Sequence, residues 1–258
     1  MKILSCSITD LGKKRIHNED SYLSDDNLGL FIVADGMGGH AAGDVASKMA
    51  VETVIEYMNE TIADPEITPP FGTDANLSTD ENQLKLSIQL ANKKIYQKAS
   101  SDMNYKGMGT TIVVLYHRNN YLNVAHVGDS RAYHIRDGEI KLITEDHSWV
   151  NEQVQAGLMS KDDARNHYLK NIITRALGSK EEVAIDVQKV EIREDDFFLM
   201  CTDGLNNHVS DEEILEYIKE SNYSLHKSTQ KLVQVALDRG GEDNITLILL
   251  KCAKDEIF

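Results

Sequence analysis

The chain has 258 residues, enough for one sizeable hydrophobic core, and none of its apolar runs approaches the roughly 18 residues of a membrane span. Its 27 basic and 42 acidic residues give a formal net charge of −15, which argues against binding to nucleic acid or to an anionic membrane. An anionic substrate would therefore need a local source of positive charge.

Short β-rich runs recur along the chain and have the lengths of strands. Two tight-turn pairs, Asn119-Asn120 and Asp137-Gly138, join neighbouring runs and favour antiparallel hairpins over βαβ crossovers. The predicted strands cover residues 1–9, 28–34, 110–116, 121–127, 131–135, 139–144, 197–202 and 244–250.

Helical patterning predicts helices over about 45–58, 80–99, 211–220 and 225–238, and Ser78 and Glu81 have the spacing of a capping box. The stretch between the first two helices contains all three prolines and is typical of a surface loop. Residues 147–171 are polar and weakly helical, so we expect a flap appended to the core. No repeat or linker divides the chain, and a single domain over 1–258 is predicted.

The amino terminus MKILSCSITD lacks the pattern of a signal peptide, and the three cysteines form no CxxC pair. We therefore expect a cytoplasmic protein without a disulfide framework or a zinc cluster. Cys201 raises the possibility of a cysteine phosphatase. No basic phosphate-binding loop follows it, so burial as a small apolar residue is the expected role.

Residues 31–40, FIVADGMGGH, end an apolar run at Asp35 and continue with glycine at three of the next four positions. Gly36, Gly38 and Ala41 fit the dinucleotide pattern G-x-G-x-x-A, but no second parallel strand carrying an acid follows, and Asp35 would repel a pyrophosphate. A purely structural turn is another alternative. The third is a cation site, in which Asp35 and the carbonyl oxygen of Gly36 are ligands.

Other acids stand at comparable strand ends. Asp203 follows an apolar run and precedes Gly204, Asp129 follows YLNVAHVG, and Asp243 precedes NITLILL, while Glu19 and Asp20 come soon after the first strand. Any one of them could be an ordinary turn residue or helix cap. Together, oxygen ligands without clustered Cys or His favour Mg²⁺ or Mn²⁺ over Zn²⁺.

Eight motifs follow one another along nearly the whole chain: RIHNEDSY, VADGMGGHAAGDVAS, MGTT, VGDSRAY, LITEDHS, ITRALG, CTDGL and EDNIT. In sequence and in order they resemble those of the metal-dependent protein phosphatases of type 2C, in particular the bacterial serine/threonine phosphatases. The resemblance implies an α+β fold with a central β-sandwich of two antiparallel sheets flanked by helices, in α-β-β-α layers.

The resemblance also implies a binuclear Mn²⁺ or Mg²⁺ centre whose activated water hydrolyses phosphoserine and phosphothreonine in proteins. By motif position, Asp35 would bridge both metals, with Asp203 and Asp243 completing one site. Glu19 and the Gly36 carbonyl would complete the other. Asp129 would bind a third, weaker metal or, alternatively, only cap its turn, and Arg15 would clamp the substrate phosphate.

The expected partners are phosphoprotein substrates, with a bacterial serine/threonine kinase and its targets by analogy, and a monomer is expected. Many eukaryotic relatives have His after the DG pair as a proposed general acid, whereas this chain has Met37, and a role for His40 in its place is not favoured. A non-catalytic phosphoprotein-binding module on the same fold is the second class of function that the sequence allows.

Overall fold

The structure, a computed structural model, describes residues 1–38, 42–64 and 67–254. In these ranges the strands are β1 Lys2–Asp10, β2 Asp20–Asp25, β3 Leu30–Met37, β4 Gly109–Thr110, β5 Ile112–Arg118, β6 Tyr121–Val127, β7 Arg131–Arg136, β8 Glu139–Leu142, β9 Asp186–Glu191, β10 Phe197–Cys201 and β11 Ile245–Ala253. The helices are α1 Ala42–Ala63, α2 Thr79–Ser101, α3 Trp149–Gln155, α4 Lys161–Asn166, α5 Asp203–Asn206, α6 Asp211–Glu220 and α7 Leu225–Asp238.

The strands form two antiparallel sheets. One has the order β1-β11-β10-β7-β8, and the other has the order β2-β3-β5-β6-β9 with β4 beside β3. The predicted hairpins are confirmed, because β5 pairs with β6 and β7 pairs with β8 across the two turn pairs. Asn119 and Asp137 take φ values of 56° and 53°, a left-handed conformation that Asn and Asp tolerate better than most residues.

Alternation along the strands divides the apolar side chains among three layers of core. In β3, Leu30 and Ile32 pack with residues of α1 and α2, whereas Phe31 and Val33 lie between the two sheets. Residues of β10 and β11 on the opposite outer face pack with α6 and α7. The predicted β-sandwich with helices on both faces is therefore confirmed.

The long helices lie where the sequence predicts them, although α1 begins earlier and ends later than expected. The predicted capping box of α2 is present: the Ser78 side chain accepts from the backbone N–H of Glu81, whose carboxylate accepts from the backbone N–H of Ser78. Strands β2 and β9 were not predicted. Each is at the edge of its sheet and has few fully buried residues.

The predicted flap contains two short helices, α3 and α4, separated by Gly157 at φ +71°. Its ends are tied together, because Ser148 bridges to Ile173 and the backbone N–H of Trp149 donates to the carbonyl of Ile172 over 2.8 Å. The extent of the domain over the whole chain stays a prediction. None of the helices in the described ranges combines the length and the apolar character that a membrane crossing requires.

Candidate metal centre

The acids predicted at strand ends meet at one end of the β-sandwich. Asp35 lies near the end of β3, Asp129 and Asp203 lie two residues beyond β6 and β10, and Asp243 lies two residues before β11. Antiparallel pairing of β2 with β3 and of β10 with β11 brings these strand ends together. The charges of Asp203, Asp129 and Asp243 all act on Asp35. The structure therefore gathers these four predicted residues into one cluster.

Asp35 has a fully bonded backbone, and among the described residues its carboxyl group has no cationic side chain bonded to it. Its N–H donates to Thr111 Oγ1 over 3.0 Å, and its carbonyl accepts from the Thr111 N–H and from Thr110 Oγ1, each over 2.9 Å. Burial, followed by the charges of Asp20 and Asp203, holds the pKa of Asp35 well above its ordinary value. The carboxyl group is thus fixed in place where its negative charge is unfavourable.

Glu19 and Asp20 enter the same cluster from the start of β2. Asp20 is directly opposite Asp35 across the β2–β3 pair, and it accepts a hydrogen bond from Thr202 Oγ1 over 2.9 Å. Burial raises the pKa of Asp20 to about 7. Burial also raises the pKa of Glu19. The sequence pointed to both acids but assigned a ligand role to Glu19 alone, and it gave no sign that Asp20 would lie opposite Asp35 with its pKa raised by burial.

Asp129 and Asp203 form the other side of the cluster. Asp129 is 8% exposed, and its Oδ1 atom is buried without a hydrogen-bond partner in the part of the chain that the structure describes. Burial and the charge of Asp203 raise the pKa of Asp129 to about 8. Burial also raises the pKa of Asp203, although Asn207 donates a hydrogen bond to its Oδ2 over 3.0 Å. An unpartnered buried carboxylate oxygen is costly unless a cation or a proton satisfies it.

The two Asp-Gly pairs have a packing reason in common. A Cβ atom on Gly36 would lie 2.1 Å from the carbonyl oxygen of Gly43 in α1, and a Cβ atom on Gly204 would lie 2.0 Å from the carbonyl oxygen of Asn244. Only glycine permits this close approach of backbone to backbone. Each glycine therefore seats the acid before it against a neighbouring element.

Arg15 lies at the cluster on the loop between β1 and β2. Its Nη2 atom donates to Asp243 Oδ2 over 2.6 Å, and the two side chains are 47% and 31% exposed. The hydrogen bond to Asp243 raises the pKa of Arg15. The predicted phosphate clamp is thus beside a predicted metal ligand and at the solvent-exposed rim of the cluster.

Asn244 holds this loop in place and was missed in the sequence, although it lies in the motif EDNIT. Its Oδ1 accepts from the Glu19 N–H over 2.8 Å, and its Nδ2 donates to the carbonyls of Leu11 and His17 over 2.9 Å and 3.1 Å. Its position directly after the predicted ligand Asp243 could have indicated a role in the site. Its contacts, however, join residues more than 200 positions apart, which local pattern does not reveal.

Three further expectations concern residues around the cluster. Met37 ends β3 opposite Gly109 and offers no proton for a leaving group. His40 and Ala41, which bear on the general acid and on the dinucleotide pattern, lie outside the described residues. Cys201 is fully buried, and burial raises the pKa of its thiol, which agrees with the predicted structural role.

The donor set fits hard divalent cations. The cluster offers carboxylate oxygens and backbone carbonyls, the ligands that Mg²⁺ and Mn²⁺ prefer, and the described residues leave one buried oxygen of Asp129 without a partner. Burial, and after it repulsion between neighbouring acids, raises the pKa values of Asp35, Asp129 and Asp203, and positive charge placed among them would oppose that effect. The assignment of individual ligands stays a prediction.

Comparison with known proteins identifies the same family along most of the chain. The family model described as protein phosphatase 2C matches residues 12–242. The serine/threonine phosphatase stp of Listeria welshimeri is 41% identical over 248 residues, which cover 94% of this chain and 93% of that protein. The protein phosphatase PhpP of Streptococcus pneumoniae is 36% identical over 260 residues, with 96% and 97% covered.

Solved structures give the same result for the fold. The crystal structure of the Mycobacterium tuberculosis serine/threonine phosphatase PstP/Ppp superposes with a TM-score of 0.86 at 32% identity, covering 98% of this chain and 100% of that one. A structure of the catalytic domain of the serine threonine protein phosphatase PstP in complex with two manganese ions superposes with a TM-score of 0.82, also at 32% identity, covering 98% and 99%.

Proposed function

We propose, because this chain belongs to the protein phosphatase 2C family, that it is a metal-dependent phosphatase acting on phosphoserine and phosphothreonine in proteins. The observation that carries the proposal is the cluster of strand-end acids around Asp35. Its charge is unfavourable without cations, and Arg15 lies at its open rim. An acidic substrate-binding surface of this kind needs metal to receive a phosphate dianion.

The proposed ligands follow the positions of the acids. Asp35, Asp203 and Asp243 would hold one cation, and Asp35 with Glu19 and the Gly36 carbonyl would hold a second. Asp129 would hold a third, weaker one. When bound, Mn²⁺ or Mg²⁺ would supply positive charge for the phosphate and would lower the pKa of the water used in hydrolysis.

The side chains themselves orient the reactants. Arg15 has a planar guanidinium that is suited to two phosphate oxygens, and it can exchange its bond to Asp243 for bonds to substrate. Asn244 and Gly36 hold the backbone of Glu19 through two hydrogen bonds. Met37 provides no proton to the leaving alkoxide, so protonation is not assigned to a side chain.

The proposal extends to biological context. A serine/threonine kinase and its phosphorylated targets are the proposed partners, by analogy with the bacterial phosphatases that resemble this chain. We place the protein in the cytoplasm as a monomer with a substrate-contacting flap at 147–171. The net charge of −15 is the reason that no nucleic acid and no anionic membrane is proposed as a partner, and metal ions with Arg15 would supply the positive charge that a phosphoprotein needs.

The test is turnover of p-nitrophenyl phosphate and of a phosphothreonine peptide in Mn²⁺, in excess chelator, and after Mn²⁺ is restored. We expect hydrolysis that chelator abolishes and Mn²⁺ restores. Asp35→Asn should lower the rate by at least about a hundred-fold while the far-UV circular dichroism stays unchanged. Phosphopeptide binding without turnover in the wild type would instead establish a non-catalytic binding module.

A further inference from the structure

A buried histidine holds the turn that carries Asp129. His147 is 2% exposed. Its ring Nδ1 atom accepts from the backbone N–H of Gly128 over 3.0 Å, and its backbone N–H donates to the Gly128 carbonyl over 3.0 Å. Gly128 has φ +109°, and a Cβ atom there would lie 2.6 Å from Thr111 Cβ. The residue before Asp129 is therefore fixed from both sides in a conformation that glycine alone adopts readily.

The contacts of His147 define its protonation. The N–H of Gly128 is a donor, so Nδ1 is without a proton and Nε2 carries it. Nε2 lies 2.9 Å from Asp186 Oδ2, and Asp186 Oδ1 accepts from Arg175 Nη1 over 3.1 Å. A continuous chain of hydrogen bonds thus runs from Arg175 through Asp186 and His147 to Gly128. Asp186 fixes the tautomer that Gly128 requires.

The same residues could be read as a transition-metal site, because donor atoms of His126, His147 and Asp186 all lie within 4.8 Å of one another. Two observations disfavour it. The imidazole rings stack with centroids 4.7 Å apart and planes 17° apart, so their in-plane lone pairs do not converge on one ion. A metal on Nε2 would also shift the proton of His147 to Nδ1, against the Gly128 N–H.

The turn is linked directly to the acid cluster. Ser130 Oγ lies 2.7 Å from Thr111 Oγ1, and that same Thr111 oxygen accepts from the backbone N–H of Asp35. A change in the Gly128 peptide would therefore displace Asp129 relative to Asp35 and leave the unpartnered Asp129 oxygen aimed elsewhere.

We propose that His147, held by Asp186, is a positioning residue that sets the direction of the Asp129 carboxylate and thereby the affinity of the weak metal site. The inference rests on the proposed metal role of Asp129. It assigns a function to two residues that are not among the proposed ligands of the metal centre.

The experiment compares His147→Ala, His147→Asn and Asp186→Ala by calorimetric Mn²⁺ titration and by kcat and KM for p-nitrophenyl phosphate. His147→Ala and Asp186→Ala should weaken the low-affinity Mn²⁺ event and lower kcat by about ten-fold or more, with KM changed by less than about two-fold. In His147→Asn, the amide oxygen replaces Nδ1 as the acceptor for Gly128, so kcat should recover to within about three-fold of wild type.

His134→Ala is the matched control. His134 also stacks on a buried aromatic ring, that of Phe198, and lies 3.3 Å from a carboxylate, Asp196, but it belongs to the middle of β7. The His134→Ala substitution should lower the melting temperature without lowering kcat or the affinity of the weak Mn²⁺ site. If His147→Ala lowers kcat no more than His134→Ala, or if His147→Asn is as slow as His147→Ala, the positioning role is overturned.

A double-mutant cycle separates this inference from the proposed function. If His147 acts through Asp129, then His147→Ala should have little further effect on kcat in an Asp129→Ala background. If the effects of His147→Ala and Asp129→Ala on kcat are fully additive, the positioning role is overturned. The proposed phosphatase function is tested separately, by the rate of the wild type. Tight binding of one Zn²⁺ ion that is kept in Asp129→Ala and lost in Asp186→Ala would overturn the positioning role and would show instead that His147 and Asp186 bind a metal.

Discussion

Asp35 combines a rigid backbone with a carboxylate that its surroundings destabilise. Three hydrogen bonds to Thr110 and Thr111 fix its peptide groups, whereas burial and acidic neighbours disfavour its charged form. Such an arrangement sacrifices stability in order to preorganise a ligand, because little rearrangement is then needed when cations bind.

Arg15 is paired with Asp243, so its substitution tests whether it binds substrate or supports metal binding. Arg15→Ala should raise KM for phosphomonoesters by about ten-fold, the effect of losing charge-assisted hydrogen bonds, with Mn²⁺ affinity not weakened. Lys14→Ala removes the same charge from the neighbouring exposed residue and should leave KM within about two-fold. Steady-state kinetics and calorimetry measure both, and a variant that lost Mn²⁺ at unchanged KM would contradict the clamp.

At Asp129, the unpartnered oxygen predicts a weak cation site. Asp129→Ala should keep the tightly bound metals yet hydrolyse p-nitrophenyl phosphate more slowly, by about ten-fold, with a changed response to millimolar Mn²⁺. One carboxylate and one shared ligand leave most positions to water, which is why the affinity is low. If wild type and variant show the same number of Mn²⁺ sites by calorimetry and the same dependence of rate on Mn²⁺ concentration, Asp129 only caps its turn.

At the scale of the elements, short apolar runs rich in β-branched and aromatic residues predicted the central strands, and helical patterning predicted the long helices. Strands β2 and β9 were not predicted because DSYLSD and DVQKVE are largely polar and contain no fully buried residue, so neither has the apolar run by which the central strands were recognised. The run TTIVVLY was predicted as one strand. It divides at Thr111, whose N–H donates to Asp35 instead of to a ladder.

Asp35 and Asp203 could be identified from the sequence because each ends an apolar run and precedes a glycine, and Asp129 and Asp243 because each lies beside a predicted strand. The supporting contacts were not, since Asn244 reaches Leu11 and His147 reaches Gly128 only after the sheets have assembled. Sequence therefore identifies the charged groups of the centre, and folding topology identifies the residues that aim them.

Close packing at α5 yields a test of this point. Gly204→Ala would place a Cβ atom 2.0 Å from the carbonyl oxygen of Asn244 and separate α5 from the start of β11. Because Asp203 and Asp243 lie on these two segments, Mn²⁺ affinity and turnover should fall by about ten-fold or more. Gly72→Ala is the matched control, with nothing within 4 Å of its added Cβ atom. Calorimetry and initial rates that match wild type in Gly204→Ala would refute this coupling.

At the scale of the whole molecule, the acid cluster and the buried histidines impose opposite dependences on pH. The pKa values of Asp20 and Asp129 rise from 3.8 in the unfolded chain to about 7 and about 8, so their stabilising contribution declines as pH rises through those values. Burial lowers the pKa values of His126, His134 and His147 below 6.5, so stability from these residues increases until about pH 6.5.

Between pH 6.5 and 8 the acids alone should therefore determine the slope. In excess chelator, the melting temperature should fall by roughly 5 °C over this window, because ionisation of Asp129 and Asp20 adds repulsion around Asp35. Carboxylates with lowered pKa values, such as Asp186 and Asp196, affect stability only at more acidic pH. In saturating Mn²⁺ the slope should vanish or reverse, since cations bind the ionised form. Scanning calorimetry of wild type and Asp129→Asn measures the melting temperature against pH. In chelator, the variant should show a smaller fall in melting temperature than wild type. A melting temperature of the wild type that rises from pH 6.5 to 8 without metal would show that the acid cluster does not destabilise the fold.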